Sequence, residues 1–244
     1  MEQYIVEGNI SVKAVLLGNK RKVYEILVDR TKRDKDTSFI LRQASKRKIK
    51  IKQVTREEID EIAQGKTHGG MIAYCSQRTY QDLSKVISKK DVFLALVEGI
   101  EDPFNFGYVL RTLYAAGCDG IIVAARNWTT AADVVTRASA GASEYINIFI
   151  SEQMDETVKE LQKANVSLIC AHRKDAQSLY SYQFPNRFCL AIGGEMRGIS
   201  KSVMALSNQN LYIPYRTDFK NAMTAAASTA IFAFEVVRQK ELFK

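Results

Sequence analysis

The sequence predicts an α/β protein in two parts, on three observations. Apolar runs of strand length alternate with stretches of helical periodicity along the chain. The run VFLALVEG (Val92–Gly99) is continuously apolar, as a strand buried on both faces of a parallel sheet must be. A polar, charged stretch, TYQDLSKVISKK (Thr79–Lys90), interrupts the pattern and reads as a linker. The expected organisation is a small α/β domain over 1–78, the linker over 79–90, and a larger domain over 91–244.

In the first part, Asn9–Leu17 has a helical apolar period with Ser11 as a candidate N-cap. VYEILVD (Val23–Asp29) alternates as a strand. Ser38–Lys46 reads as a basic amphipathic helix, and IKIKQV (Ile49–Val54) as a half-buried strand. Thr55 and Glu58 have the spacing of a capping box for a helix running through Ala63. Thr67-His68-Gly69-Gly70 is a turn, and MIAYCS after it is another strand. In the second part, GIIVAA (Gly120–Ala125), INIFI (Ile146–Ile150), VSLICA (Val166–Ala171), FCLAI and LYI follow Val92–Gly99, spaced by helical patterns. A parallel sheet covered by helices is the arrangement that alternation implies.

Composition excludes several classes. A hydrophobic fraction of 46% with 25% charged residues is that of a globular chain. No apolar run approaches the ~20 residues that cross a bilayer. MEQYIVEGNI lacks the basic start and apolar core of an export signal. Cys75, Cys118, Cys170 and Cys189 stand singly, without metal-type spacing, as buried thiols in a reduced cytoplasmic compartment would. The net charge of +8 fits a polyanionic partner. Its clusters at 20–22, 30–35 and 42–52 fall in the first part, where a solvated helix face explains them equally well.

Ligands of parallel α/β sheets bind at the carboxyl ends of the strands, so the loops there carry the functional argument. The first is Glu101-Asp102-Pro103-Phe104-Asn105-Phe106-Gly107, where Pro103 starts a turn, Asn105 is a candidate N-cap and Gly107 allows close helix–strand approach. Arg111 is expected one turn into the following helix, suited to an anion. The second is Gly193-Gly194-Glu195-Met196-Arg197-Gly198-Ile199-Ser200, whose glycines would let backbone amides approach a ligand. The third runs from Ile213-Pro214-Tyr215 to Asn221, which would cap the last helix or point into a pocket. Ala222, Ala225, Ala226 and Ala227 then form a helix face for close packing.

DPFNFGYVLRT, ASAGASE (Ala138–Glu144), GGEMRGIS and the IP…N…helix segment, in this order, resemble the SpoU/TrmH family of SPOUT-class RNA ribose 2′-O-methyltransferases from Val92 onward. The first part resembles the small ribosomal-protein-like RNA-binding domain that often precedes that catalytic domain. The resemblance implies a C-terminal trefoil knot, which periodicity does not show, and a homodimer without a metal. It also implies S-adenosyl-L-methionine held by Gly193, Gly194, Glu195, Gly198, Ile213, Pro214, Asn221, Ala222 and Met223. The catalytic group would be Asn105, Arg111, Glu195 and Asn221. Because arginine is normally locked in its charged form, Arg111 reads as a phosphate ligand and stabiliser of a developing alkoxide. Asn105 and Glu195 would position Arg111 and the ribose. RNA would meet Arg42, Lys46, Arg47, Lys48, His68, Phe219 and Lys220.

One departure stands out. Many family members carry Ser-Leu-Asn where this chain has Phe219-Lys220-Asn221. Phe219 would stack on a base, or the loop has lost its catalytic geometry. The expected activity is methyl transfer to rRNA, with tRNA second; the alternative is an RNA-binding, methyltransferase-like protein without turnover. A dinucleotide-dependent oxidoreductase is discarded, because the early glycine fingerprint is missing.

Overall fold

The computed structural model describes residues 4–63, 65, 68–124 and 132–242. The chain forms two compact units, 1–79 with 136–145 and 80–135 with 146–244. Thr67 of the expected turn and Ala125 of the expected strand lie outside the described residues.

The first unit contains β1 (Tyr4–Glu7), α1 (Asn9–Gly18), β2 (Val23–Asp29), α2 (Lys35–Lys46), β3 (Lys50–Val54), α3 (Arg56–Ile62) and β4 (Met71–Cys75). Its sheet has the order β1-β4-β2-β3, with β2 and β3 parallel and β4 antiparallel to both its neighbours. Val12 and Leu16 of α1 and Ile40 and Ala44 of α2 cover one face, through Ile26, Val28, Met71 and Ala73. Ile59 of α3 covers the other, with Leu27, Val54 and Ile72. The capping box is present, Thr55 Oγ1 accepting from the Glu58 amide and Glu58 from the Thr55 amide. Ser11 does not cap α1; it is buried within the helix, and Gly8 at φ 85° holds the cap position. The helix expected from Ser38 starts at Lys35, because Asp34 accepts from the Thr37 amide at 2.9 Å.

The second unit opens with α4 (Ser84–Ile87) inside the expected linker, then β5 (Val92–Glu98), α5 (Pro103–Ala115) and β6 (Gly120–Ala124). In chain order α6 (Ala132–Ala138) and α7 (Ala142–Tyr145) come next, α7 and the end of α6 belonging to the first unit, and the second unit resumes with β7 (Ile148–Ser151), α8 (Met154–Lys163) and β8 (Ser167–Ala171). The chain continues with β9 (Ala176–Ser178), β10 (Arg187–Gly193), α9 (Lys201–Met204), β11 (Gln209–Tyr212) and α10 (Ala225–Leu242). All pairings in the seven-stranded sheet, β7-β6-β5-β10-β8-β11-β9, are parallel. Alternate residues of β5 enter opposite cores, Phe93, Ala95 and Val97 on one side and Val92, Leu94 and Leu96 on the other. That is why the run is apolar throughout. α5 and α10 cover the first face with Val109, Leu113, Phe232 and Val236, and α8 covers the second with Val158 and Leu161. Each such side chain contributes about 1.5–3 kcal/mol on burial.

Residues 136–145, which include the ASAGASE stretch, pack with the first unit. Glu144 accepts from Arg21 Nε at 3.2 Å and lies 3.6 Å from Arg78 Nη1, and all three side chains are at most 8% exposed. A Cβ on Gly141 would fall 2.5 Å from the Cβ of Ala14 in α1, so the glycine permits this approach. Among the described residues no helix is long and apolar enough to cross a membrane.

Candidate active site

The carboxyl ends of β5 and β10 lie side by side, with Gly193 in register with Glu98. Beyond them the backbones come too close for side chains. A Cβ on Gly194 would lie 1.8 Å from the carbonyl oxygen of Gly99, and one on Gly193 would lie 2.4 Å from the carbonyl carbon of Gly198. The Gly194 amide donates to Glu98 O at 2.8 Å and the Gly198 amide to Gly194 O at 2.9 Å. The expectation that these glycines open backbone amides to a ligand is thereby corrected for both. Their amides are used inside the protein, and the absence of side chains serves the crossing of three backbone segments.

The crossing projects Glu195 toward the last helix, where its Oε1 accepts from the Ala225 amide at 3.3 Å. Thr224 caps the helix locally, its Oγ1 accepting from the Ala227 amide at 3.3 Å, and the Glu195 carboxylate from another loop adds a negative charge at the positive end of α10. Asn221 lies four residues before the helix, so the capping option for it is excluded. Ala222 likewise precedes α10, outside the alanine face assigned to it.

Arg173, just past β8, organises the loop between β11 and α10. Its guanidinium sits 4.5 Å from the centroid of Tyr215 and donates to Lys220 O at 2.8 Å and Asn221 O at 3.1 Å. Tyr215 in turn accepts from the Met223 amide at 3.1 Å and stacks with Phe219 at 6.3 Å. The loop is thus a connected structure of one guanidinium, two rings and three backbone groups. Arg173 belongs to none of the sequence motifs above. The signal was available, since it too follows the carboxyl end of a parallel strand.

A cleft of about 1020 Å³, open mouth included, lies between this loop and the ends of β8, β10 and β11. Ile192, Leu211, Ile213 and Phe232 give it apolar walls, while Glu195, Arg173 and Ser228 supply polar groups. Apolar walls with a few convergent polar groups suit a small ligand with a flat ring and a charged tail. Of the residues expected to hold a cofactor, Gly193, Gly194, Glu195, Gly198, Ile213, Ala222 and Met223 line it. Pro214 and Asn221 do not, although the Asn221 carbonyl is held at its border by Arg173.

A second cleft, of about 580 Å³, adjoins the first at Gly194 and Glu195 and is lined by Asn105, Asp102 and Glu101. The N-cap of α5 is Asp102, which accepts from the Asn105 amide at 2.8 Å, so Asn105 is not the cap. Pro103 is the first helical residue. Arg111, expected one turn in, is the ninth residue of the helix, exposed, and lines neither cleft. The structure therefore brings Asn105 and Glu195 together and leaves Arg111 and the Asn221 side chain outside.

In the first unit Arg42, Lys46, Arg47 and Lys48 are exposed at the end of α2, beside the edge strand β3 with Lys50 and Lys52. Arg47 is partly committed, donating to Leu16 O and to Asn19 Oδ1. His68 is 2% exposed, its Nε2 2.7 Å from Asp60 and its Nδ1 accepting from the Gly70 amide. The expectation that it touches RNA is corrected. It locks the turn before β4. Phe219 and Lys220 are exposed on the β11–α10 loop.

The four thiols are buried and free. Burial pushes Cys75 up to about 11 and Cys118 up to about 12, and raises Cys170 and Cys189 as well. None is poised as a nucleophile.

A parallel sheet with adjoining clefts at its carboxyl edge, one of them suited to a ring-and-tail ligand, defines an α/β domain that binds small ligands at its strand ends. The SpoU rRNA Methylase family model matches residues 91–234, and a model for RNA 2′-O ribose methyltransferase substrate binding matches residues 5–81. The chain belongs to the SpoU rRNA methylase family. It is 27% identical over 240 residues to the 23S rRNA (guanosine-2′-O-)-methyltransferase RlmB of Haemophilus ducreyi, covering 96% of this chain and 97% of that one. It is similar to the enzyme of the same name from Shewanella oneidensis, at 27% identity over 243 residues and 98% of each chain. Among solved structures it resembles the SpoU methyltransferase AviRb of Streptomyces viridochromogenes in complex with AdoMet, with TM-score 0.82 at 18% identity, over 98% and 91% of the two chains. An AdoMet-bound rRNA methyltransferase from Sinorhizobium meliloti aligns with TM-score 0.80 at 18% identity, over 97% and 87%.

Proposed function

We propose that this protein transfers a methyl group from S-adenosyl-L-methionine to a ribose 2′-hydroxyl of RNA, with rRNA as the substrate class. The observation that carries the reading is the position of Glu195, which lines both the ring-and-tail cleft and the Asn105 cleft. A single carboxylate at that junction touches both reactants of a transfer. The cofactor fits the first cleft by chemistry, with apolar walls for its adenine and Arg173 for its carboxylate. When bound, it supplies an electrophilic methyl on a sulfonium that leaves as a neutral thioether.

The protein then has to align the hydroxyl and relieve it of its proton. Asn105 supplies an amide that orients the ribose, and Glu195 holds the acceptor side of the junction while fixing α10 through Ala225. Arg111 shares an exposed face of α5 with Phe104 and Tyr108, spaced i, i+4 and i+7. Those aromatics, and Phe234 on α10, support a homodimer through α5 and α10, and a second copy would set the surroundings of Arg111. The close crossing of Gly99, Gly194 and Gly198 supports the trefoil threading that the family resemblance implies. The exposed lysines and arginines at the end of α2 support phosphate contacts. Four buried free thiols support a cytoplasmic location.

The alternative, RNA binding without turnover, is favoured by one observation: Asn221 and Arg111 lie outside the clefts. Calorimetry with S-adenosylmethionine, followed by labelled methyl transfer to unmodified rRNA and tRNA, separates the two. Label on rRNA is the expected result. Cofactor binding without label on any RNA selects the alternative, and no cofactor binding overturns the methyl-transfer reading.

A further inference from the structure

The row of clefts does not end at Asn105. The Asn105 cleft shares Gly99, Ile100 and Glu101 with a third, of about 770 Å³, between the carboxyl ends of β5 and β6. Val97, Phe106, Val123 and Met154 wall it with apolar surface. At its rim Arg197 Nε lies 3.2 Å from Glu101 Oε1, in a pair that is more than half exposed on both sides. The proposed reaction has so far used none of these walls.

We propose that this third cleft takes the base of the nucleotide being methylated, an extruded guanine. The inference rests on the methyl-transfer reading above and adds to it where the substrate nucleotide sits. In a nucleotide the 2′-hydroxyl is one carbon away from the carbon that bears the base. A site that holds the base must therefore adjoin the place where the hydroxyl meets the donor, on the side away from the donor. The clefts have that order: the cofactor cleft, then Asn105 with Glu195, then the cleft between β5 and β6, which Glu98, Glu101 and Arg197 line beside its apolar walls. A base displaced from a folded RNA presents two apolar faces and a polar edge. The walls suit the faces, and Glu101 with Arg197 suits the edge. A carboxylate accepts the adjacent N1 and N2 donors of guanine together, and no other standard base offers that pair. The guanidinium suits the O6 and N7 acceptors on the next edge. An exposed ion pair is weakly held in water, so a change of partner costs little.

The experiment maps the methylated nucleotide on rRNA with the wild-type protein, then compares variants on that RNA. Ala124 is exposed at the end of β6 and lines only this cleft among the three. Ala124→Trp should cut transfer at least about a hundredfold while the cofactor dissociation constant, read by calorimetry, stays within about twofold. Replacing the target guanosine by inosine removes the N2 donors and should slow the wild type about tenfold, the worth of one charged hydrogen bond. Glu101→Gln should abolish that guanosine–inosine difference. Wild-type transfer speed in Ala124→Trp overturns the proposal. If Ala124→Trp loses cofactor binding through misfolding, the inosine comparison decides, and an unchanged ratio in Glu101→Gln overturns it. A methylated nucleotide other than guanosine overturns the guanine assignment. A wild-type protein that binds cofactor and methylates no RNA overturns the parent reading, and this one with it.

Discussion

The carboxylate of Glu195 accepts a hydrogen bond from the backbone amide of Ala225, 30 residues further on, at 3.3 Å. One side chain thereby joins the glycine crossing after β10 to the start of α10, whose first turns line the cofactor cleft through Ser228 and Phe232. Glu195→Ala should lower stability by about 1 kcal/mol in urea unfolding, the usual net worth of one hydrogen bond, with the Thr224 cap of α10 left in place. Cofactor affinity in the same variant should weaken, and methyl transfer should fall further than the affinity does. Equal losses in the two would remove Glu195 from the transfer step.

Gly194 and Gly69 separate two uses of glycine. Gly194→Ala would put a methyl 1.8 Å from Gly99 O, whereas Gly69, at φ 57°, has nothing within 4 Å of the added carbon. The first substitution should destabilise the protein by about 3 kcal/mol or more through overpacking. The second should cost about 1–2 kcal/mol, for the backbone conformation alone. Urea midpoints for the pair, taken at equal m values, check the ranking.

Glu144 is nearly completely buried between Arg21 and Arg78. Glu144→Ala leaves two buried guanidiniums facing each other and should cost about 3–5 kcal/mol. A loss below about 1 kcal/mol in chemical unfolding would mean that water reaches the pair.

Arg173 grips the Tyr215 ring and two carbonyls at once. Arg173→Lys keeps the charge but neither the fork nor the stacking plane, so it should behave as Arg173→Ala does. Both should weaken S-adenosylmethionine binding, by about tenfold if one net charged hydrogen bond is lost. Full rescue by lysine in calorimetry would show that charge alone matters.

Asp34 carries a pH dependence. Hydrogen bonds from the Thr37 amide and hydroxyl, and then from Lys32, hold its carboxyl well below the usual carboxylate range. The folded value lies below the unfolded one, so its contribution is complete above about pH 4 and is lost as pH falls toward the folded value. Between about pH 5 and pH 2, the wild-type urea midpoint should fall more steeply than that of Asp34→Asn. Parallel curves would show that the cap carries no linkage.

The strands that could be read in advance were those whose neighbours demand apolar side chains, such as β5 and β10. β1 and β9 escaped because YIVE is only four residues long and AQS is a three-residue polar edge with no period. The capping box at Thr55 was legible since both partners are local, and the Gly8 cap was not, since it uses no side chain. In the site, Glu195 and Gly194 were visible as residue types in a strand-end loop. Their actual partners, Ala225 and Gly99, are set by tertiary crossing and leave no spacing to read. The same holds for Glu144, whose partner Arg21 is 123 positions away.

The position of β10 bears on how the protein is made. It fills the gap between β5 and β8, and Arg187 pairs with Val92, 187 − 92 = 95 positions earlier. A ribosome synthesising this chain must therefore finish residue 193 before the middle of the large sheet can close. Until then β5 waits with one apolar edge unpaired, the kind of edge that invites pairing with other nascent chains. Most of the four-stranded sheet's own residues have left the tunnel long before, so the two sheets mature on different clocks. Translation speed over the last quarter of the message should then set the yield of active enzyme more strongly than speed over the first.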